Sequence, residues 1–134
     1  GSSCSEEARE VASALFSAVG AVVEIPESMI NPLSAISGSG PAWIYYFIEK
    51  WEQVAISEGF TKEQAQLMVR GTFDGALDLL AQGDAEPEQL RKNVTSPGGT
   101  TEQIIKTFDE AALAEIFQAG LTAAVKRAEE IARS

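Results

Sequence analysis

Directly after Pro41 come seven apolar residues, Ala42-Trp43-Ile44-Tyr45-Tyr46-Phe47-Ile48. Wound into a helix, this run presents apolar groups on every side, so it must be surrounded by its own domain or by a partner. Pro41 suits the first turn, where its missing N–H costs nothing. The helix is expected from Pro41 to about Glu58, with Gly59 as its stop. Seven residues fall far short of the roughly 18 to 20 that a membrane-spanning helix needs. No basic leader precedes an apolar segment, so no secretory signal is expected. Gly1, Ser2 and Ser3 read as a cloning remnant.

The flanking pattern is also helical. Ser5 with Glu6 and Glu7 places a cap and two carboxylates at the positive end of a helix dipole. Val11, Leu15, Phe16 and Val19 give that helix one apolar stripe, and Gly20 is its expected stop. Ala21 to Ile25 is short and β-branched, closed by Pro26, which is a strand signal. A lone strand cannot pair with itself, so the expectation includes a sheet or partner outside this chain. A short helical segment is expected at Glu27 to Ile36. Thr61 and Gln64 resemble a capping box opening a helix to about Gln82. A short helix from Pro87 to Lys92 follows. One helix carrying Ile104, Ile105 and Phe108 comes next, and a last one carries Leu113, Phe117, Leu121, Ala124, Ala128 and Ile131. The fold class is therefore mainly α, with one short residual strand.

The chemistry available is narrow. There is one cysteine, Cys4, and no histidine, so an internal disulfide, a His-based metal site and a histidine base are all excluded. No metal site is expected. A formal charge of −10 argues against nucleic acid, because phosphate neutralisation requires clustered Lys and Arg. Cys4 reads as a bystander thiol, and the chain reads as cytoplasmic. Glu49 reads as a solvated or salt-bridged residue rather than a general acid, and Trp43, Trp51, Tyr45 and Tyr46 as core or interface. Arg70 and Arg91 have no assigned role.

Two places remain where small residues lead straight into a helix: Ser37-Gly38-Ser39-Gly40-Pro41 and Ser96-Pro97-Gly98-Gly99-Thr100-Thr101. A helix start has unpartnered N–H groups and partial positive charge, and glycine lets a ligand approach the backbone. Such a loop suits a carboxylate or phosphate. The first segment lacks the third glycine and the preceding strand of a dinucleotide fingerprint, and neither has a phosphate-loop lysine. Each could be plain punctuation between helices, and Thr100 with Gln103 could be only a capping box. The second loop favours a site, since Thr95 to Thr101 carries four hydroxyls and no bulky side chain.

Leu33-Ser34-Ala35-Ile36-Ser37-Gly38-Ser39-Gly40-Pro41-Ala42 resembles the start of the long interface helix of pyrroline-5-carboxylate reductases. Asn93-Val94-Thr95-Ser96-Pro97-Gly98-Gly99-Thr100-Thr101 resembles the signature of the same family. The resemblance covers the chain from about Glu24 onward. It implies residues 1–25 as the last αβ unit of an N-terminal Rossmann domain, and residues 26–134 as a helical bundle that interlocks as a dimer. Rings of dimers occur in several members. The implied reaction is reduction of 1-pyrroline-5-carboxylate to L-proline with NADPH or NADH, the cofactor being held mainly outside this chain, which would be inactive alone.

By the same resemblance, Thr101 is the catalytic residue. Ser96, Gly98, Gly99, Thr100 and Thr101 bind substrate, with the Gly99 and Thr100 N–H groups on its carboxylate. Asn93 and Val94 lie near the nicotinamide, while Ser37, Gly38, Ser39, Gly40 and Pro41 support the pocket. Trp43, Tyr45 and Tyr46 are bulkier than that family's long helix leads one to expect. Three rivals stand beside this reading. One is a pure oligomerisation module. Another is a reductase for a different imine or hydroxy acid, which would commonly use a lysine that neither loop contains. The third is an acidic helical binding domain, for which replacing Thr101 would harm no reaction.

Overall fold

The computed structural model describes residues 4–133; Gly1–Ser3, read above as a cloning remnant, lie outside the described residues. Among the described residues seven α-helices follow one another: α1 Glu6–Ser17, α2 Ile30–Leu33, α3 Gly40–Ser57, α4 Lys62–Gln82, α5 Pro87–Asn93, α6 Thr100–Glu110 and α7 Leu113–Ala132. A 3₁₀ turn, Glu27–Met29, leads into α2, and a π turn, Ser34–Gly38, leads out of it.

The helix ends are set by local chemistry. Ser5 Oγ accepts the Ala8 N–H at 3.2 Å and starts α1. That helix ends at Ser17, before Gly20, and Val11, Leu15, Phe16 and Val19 remain uncovered. The segment 21–25 forms no strand among the described residues, because a strand exists only by pairing and no ladder partner is present. The expected strand is corrected to an unpaired connection. Thr61 and Gln64 make the full capping box: Gln64 N–H donates to Thr61 Oγ1 at 3.2 Å, and Thr61 N–H to Gln64 Oε1 at 2.9 Å. Gly59, at φ 100°, closes α3, with its N–H on Ile56 O at 3.0 Å and the Phe60 N–H on Ala55 O at 3.3 Å. This is the paired bonding that a left-handed residue permits at a helix end.

Ser37 to Gly40 is tighter than the open break expected there. Pro41 has no N–H to return to the Ser37 carbonyl, so the regular ladder cannot run through. The Ser39 N–H instead donates to Ser34 O at 2.9 Å, five residues back, and the path from α2 to α3 stays helical.

α3 and α4 pack as a hairpin, and α7 lies against α2 and the π turn, with α6 against α7. Ala35, Ala65 and Val69 are buried, Ala65 completely. Ala65, Val69 and Phe73 recur every fourth residue, which places them on one stripe of α4. Trp51 meets Phe73 edge-on at 5.8 Å between ring centres, and Arg70 Nε donates to Glu52 Oε1 at 2.8 Å. Trp43 and Phe47 meet Phe117 of α7 at 6.0 and 5.6 Å. An open apolar cleft of about 320 Å³ runs there, lined by Trp43, Tyr46, Phe47, Leu113, Ile116 and Phe117 among others. The surface totals 10759 Å², whereas a folded monomer of this size exposes about 6,800 Å². The chain does not close a core by itself. No helix among the described residues is long and apolar enough to cross a membrane.

Candidate functional site

The α5–α6 connection is built from its sequence upward. α5 ends at Asn93, and Thr95 Oγ1 donates back to Arg91 O at 2.6 Å, holding the chain close to the helix end. Ser96-Pro97-Gly98-Gly99 then forms a turn closed by Gly99 N–H on Ser96 O at 3.0 Å, with Gly98 at φ 71°. Proline second and a positive-φ glycine third are what a type II turn requires. Gly99 is needed for a different reason. A Cβ there would stand 2.5 Å from Ser96 Oγ and 3.0 Å from Ser96 O, so the Ser96 side chain occupies that space. Gly99 is also the N-cap of α6 and supplies no side-chain cap.

This geometry changes which donors are open. The resemblance put the Gly99 N–H on the substrate carboxylate, but that N–H closes the turn. The Gly98 N–H is also taken, donating to Glu102 Oε2 at 2.8 Å. The two glycines therefore shape the loop rather than offer donors. The open N–H groups are those of Thr100, Thr101 and Glu102 in the first turn of α6, which have no partner among the described residues. The capping box weighed for Thr100 and Gln103 does not form. Glu102 reaches back instead, a residue the sequence reading passed over although it stands three after the N-cap, where such a carboxylate is expected.

The hydroxyls divide in the same way. Thr72, Thr95, Thr107 and Thr122 each donate to the carbonyl four residues back, and Thr61 caps α4. Thr100 and Thr101 do neither, because at a helix start no helical carbonyl lies below them. Thr101 is half-buried, and its hydroxyl and that of exposed Ser96 have no partner among the described residues. Three open N–H groups, the helix dipole and free hydroxyls in one turn suit a small carboxylate carrying a second polar atom.

Asn93 and Val94 immediately precede this loop. Asn93 Oδ1 accepts from Gln89 Nε2 at 2.8 Å, and Val94 stands exposed. The first small-residue segment lies elsewhere, against α7. Ser37 Oγ donates to Leu33 O at 3.1 Å, Gly38 ends the π turn, Ser39 stands between it and α3, and Gly40 and Pro41 open α3. Within one chain the two segments are not brought together. Glu49 accepts from Lys50 Nζ at 2.9 Å and Gln53 Nε2 at 3.0 Å; Lys50 holds its carboxyl below the ordinary range, opposite to what a general acid needs. No cluster of metal-ligating side chains occurs among the described residues.

Against this geometry, the family described as pyrroline-5-carboxylate reductase dimerisation matches residues 27–131. A pyrroline-5-carboxylate reductase of Vibrio alginolyticus is 41% identical over 128 residues, covering 94% of this chain and 47% of the relative. Pyrroline-5-carboxylate reductase 2 of Bacillus subtilis is 38% identical over 120 residues, covering 90% and 43%. Among solved structures, a pyrroline-5-carboxylate reductase of Coxiella burnetii superimposes with a TM-score of 0.87 at 40% identity, covering 97% of this chain and 48% of that one. The Plasmodium falciparum pyrroline carboxylate reductase with NADP bound gives 0.82 at 25% identity, covering 95% and 48%. The chain spans just under half the length of these relatives.

Proposed function

Because the chain belongs to the pyrroline-5-carboxylate reductase dimerisation family, we propose that it supplies the substrate pocket and dimer interface of an enzyme reducing 1-pyrroline-5-carboxylate to L-proline with NADPH or NADH. The observation that carries this reading is the first turn of α6, where the hydroxyls of Thr100 and Thr101 and three N–H groups stand uncommitted. Residues 1–25 belong to the cofactor-binding domain in this reading, and residues 26–134 form the helical domain. Support for that division comes from the family match beginning at residue 27. The compartment in this reading is the cytoplasm.

The substrate is a cyclic imine bearing a carboxylate. The Thr100, Thr101 and Glu102 N–H groups receive the carboxylate, with Ser96 Oγ as a further donor. Thr101 Oγ1 faces the ring nitrogen, fixes the ring's orientation and holds the proton that ends on that nitrogen. A bound reduced nicotinamide would supply the hydride for the carbon of the C=N bond, and hydride plus proton would convert the imine to the secondary amine of proline. Val94 offers the exposed apolar surface on which a nicotinamide ring can rest, and the Asn93 amide nitrogen, free among the described residues, is the adjacent donor. No histidine is required, since hydride transfer to such a carbon needs position more than a strong base.

A second copy covers the apolar cleft between α3 and α7. The surface excess of about 4,000 Å² over a closed monomer exceeds the roughly 800 Å² per partner of a standard interface. Rings of such dimers are compatible with this arrangement.

The test is cofactor oxidation by the full-length enzyme on pyrroline-5-carboxylate, wild type beside Thr101→Ala. A wild-type rate falling roughly 100-fold in the variant is expected for loss of a group that handles the proton. A folded, cofactor-binding enzyme with no rate on this imine overturns the substrate assignment.

A further inference from the structure

The loop that presents the open donors is tied by a carboxylate of its own. Glu102 Oε2 accepts the Gly98 N–H at 2.8 Å, four residues back. That bond spans the positive-φ glycine and fixes the turn in which Ser96 Oγ lies over Gly99. Glu102 is exposed and forms no ion pair among the described residues. Its negative charge therefore sits, with no cation within ion-pairing distance among the described residues, in the same helical turn as the N–H groups that would receive an anion. Two consequences oppose each other. The hydrogen bond holds the donors in place, and the charge repels a carboxylate arriving at them.

We propose that Glu102 is a positioning residue of this site, latching the turn through Gly98 while its charge limits how tightly a carboxylate substrate is held. The proposal rests on the α6 turn being the carboxylate site of the proposed reductase. The repulsion acts alike on the bound substrate and on the transition state, because the carboxylate keeps its charge throughout, so it appears in KM and not in kcat.

Glu102→Gln separates the two effects, because its amide oxygen can still accept the Gly98 N–H while the charge is gone. Glu102→Ala removes both. In the full-length enzyme, Glu102→Gln lowers KM for pyrroline-5-carboxylate about threefold with kcat near wild type, a change of the size expected for one charge at a helix start. The KM difference shrinks at high salt, as screening requires. Glu102→Ala lowers kcat about tenfold, the loss expected for one hydrogen bond to a charged group, and glutamine restores it. Thermal midpoints of both variants are recorded beside the kinetics. If Glu102→Gln leaves KM unchanged at low salt, or Glu102→Ala shifts only the thermal midpoint, Glu102 is merely a helix cap and the proposal fails. A wild-type rate with flat variants overturns the Glu102 role alone. No wild-type rate on this imine overturns the site reading and this proposal with it.

Discussion

The α3–α4 hairpin and the α5–α6 connection are held in different ways. The hairpin is held by packing between distant parts of the sequence: Ala65 and Val69 are buried, Trp51 meets Phe73, and Arg70 pairs with Glu52 across the two helices. The connection is held only by bonds between residues three or four apart, Thr95 to Arg91, Gly99 to Ser96 and Gly98 to Glu102. The first region depends on volume and the second on backbone conformation. It follows that the candidate site can keep its shape whatever happens to the hairpin's packing, and that the hairpin can stay intact while the site is destroyed.

Gly99→Ala breaks this comparison most sharply. Its Cβ collides with Ser96 Oγ and with the Ser96 carbonyl, which is backbone and cannot swing aside. In the full-length enzyme kcat/KM should fall roughly 100-fold, as a misplacement near 1 Å does. The thermal midpoint should hold, because no packed neighbour is lost. Kinetics and thermal melts on the same preparation decide it. Ala65→Leu is the reverse case. Ala65 has no exposed surface, and forcing three more carbons against α3 should cost about 2 kcal/mol of stability by urea unfolding. Circular dichroism at the unfolding midpoint reads this directly, and the affinity for substrate should be unaffected where the variant is folded.

The smallest effect sits at the joint that links the α6 arm to the body. Ala112, at φ 53° and ψ 50°, is the only non-glycine residue with positive φ among the described residues. A left-handed alanine costs about 1–2 kcal/mol, partly offset in a glycine variant by about 0.5–1 kcal/mol of extra freedom lost on folding. Ala112→Gly should therefore stabilise the protein by about 0.5 kcal/mol, measured by urea unfolding. A loss of stability would mean that the joint is not strained.

The helices were legible because each is declared by residues inside it or at its ends. Thr61 with Gln64, Gly59 after α3, and Ser5 before α1 all act over three or four positions, the range a sequence reading can follow. Ala21 to Ile25 misled because β-branching describes a preference, while a strand needs a partner that sequence-near residues do not supply. The loop after α5 stands out by its hydroxyls and glycines, but which of its N–H groups already have an internal partner does not. Nothing in the letters Pro-Gly-Gly says which N–H closes the turn; the position of Gly98 at positive φ decides that. Glu102 was missed because the eye paired Thr100 with Gln103, one residue out of step with a cap that is Gly99.

The π turn at Ser34–Gly38 acts as a phase setting for everything after it. By closing its bond five residues back, it holds one more residue than an α turn would, and each residue advances a helix by about 100°. Deleting a single residue there would leave α3 nearly as long but rotate it, carrying Trp43 and Phe47 away from Phe117 and turning another face toward α7. A length change of one position would thus be read by the molecule as a change of direction.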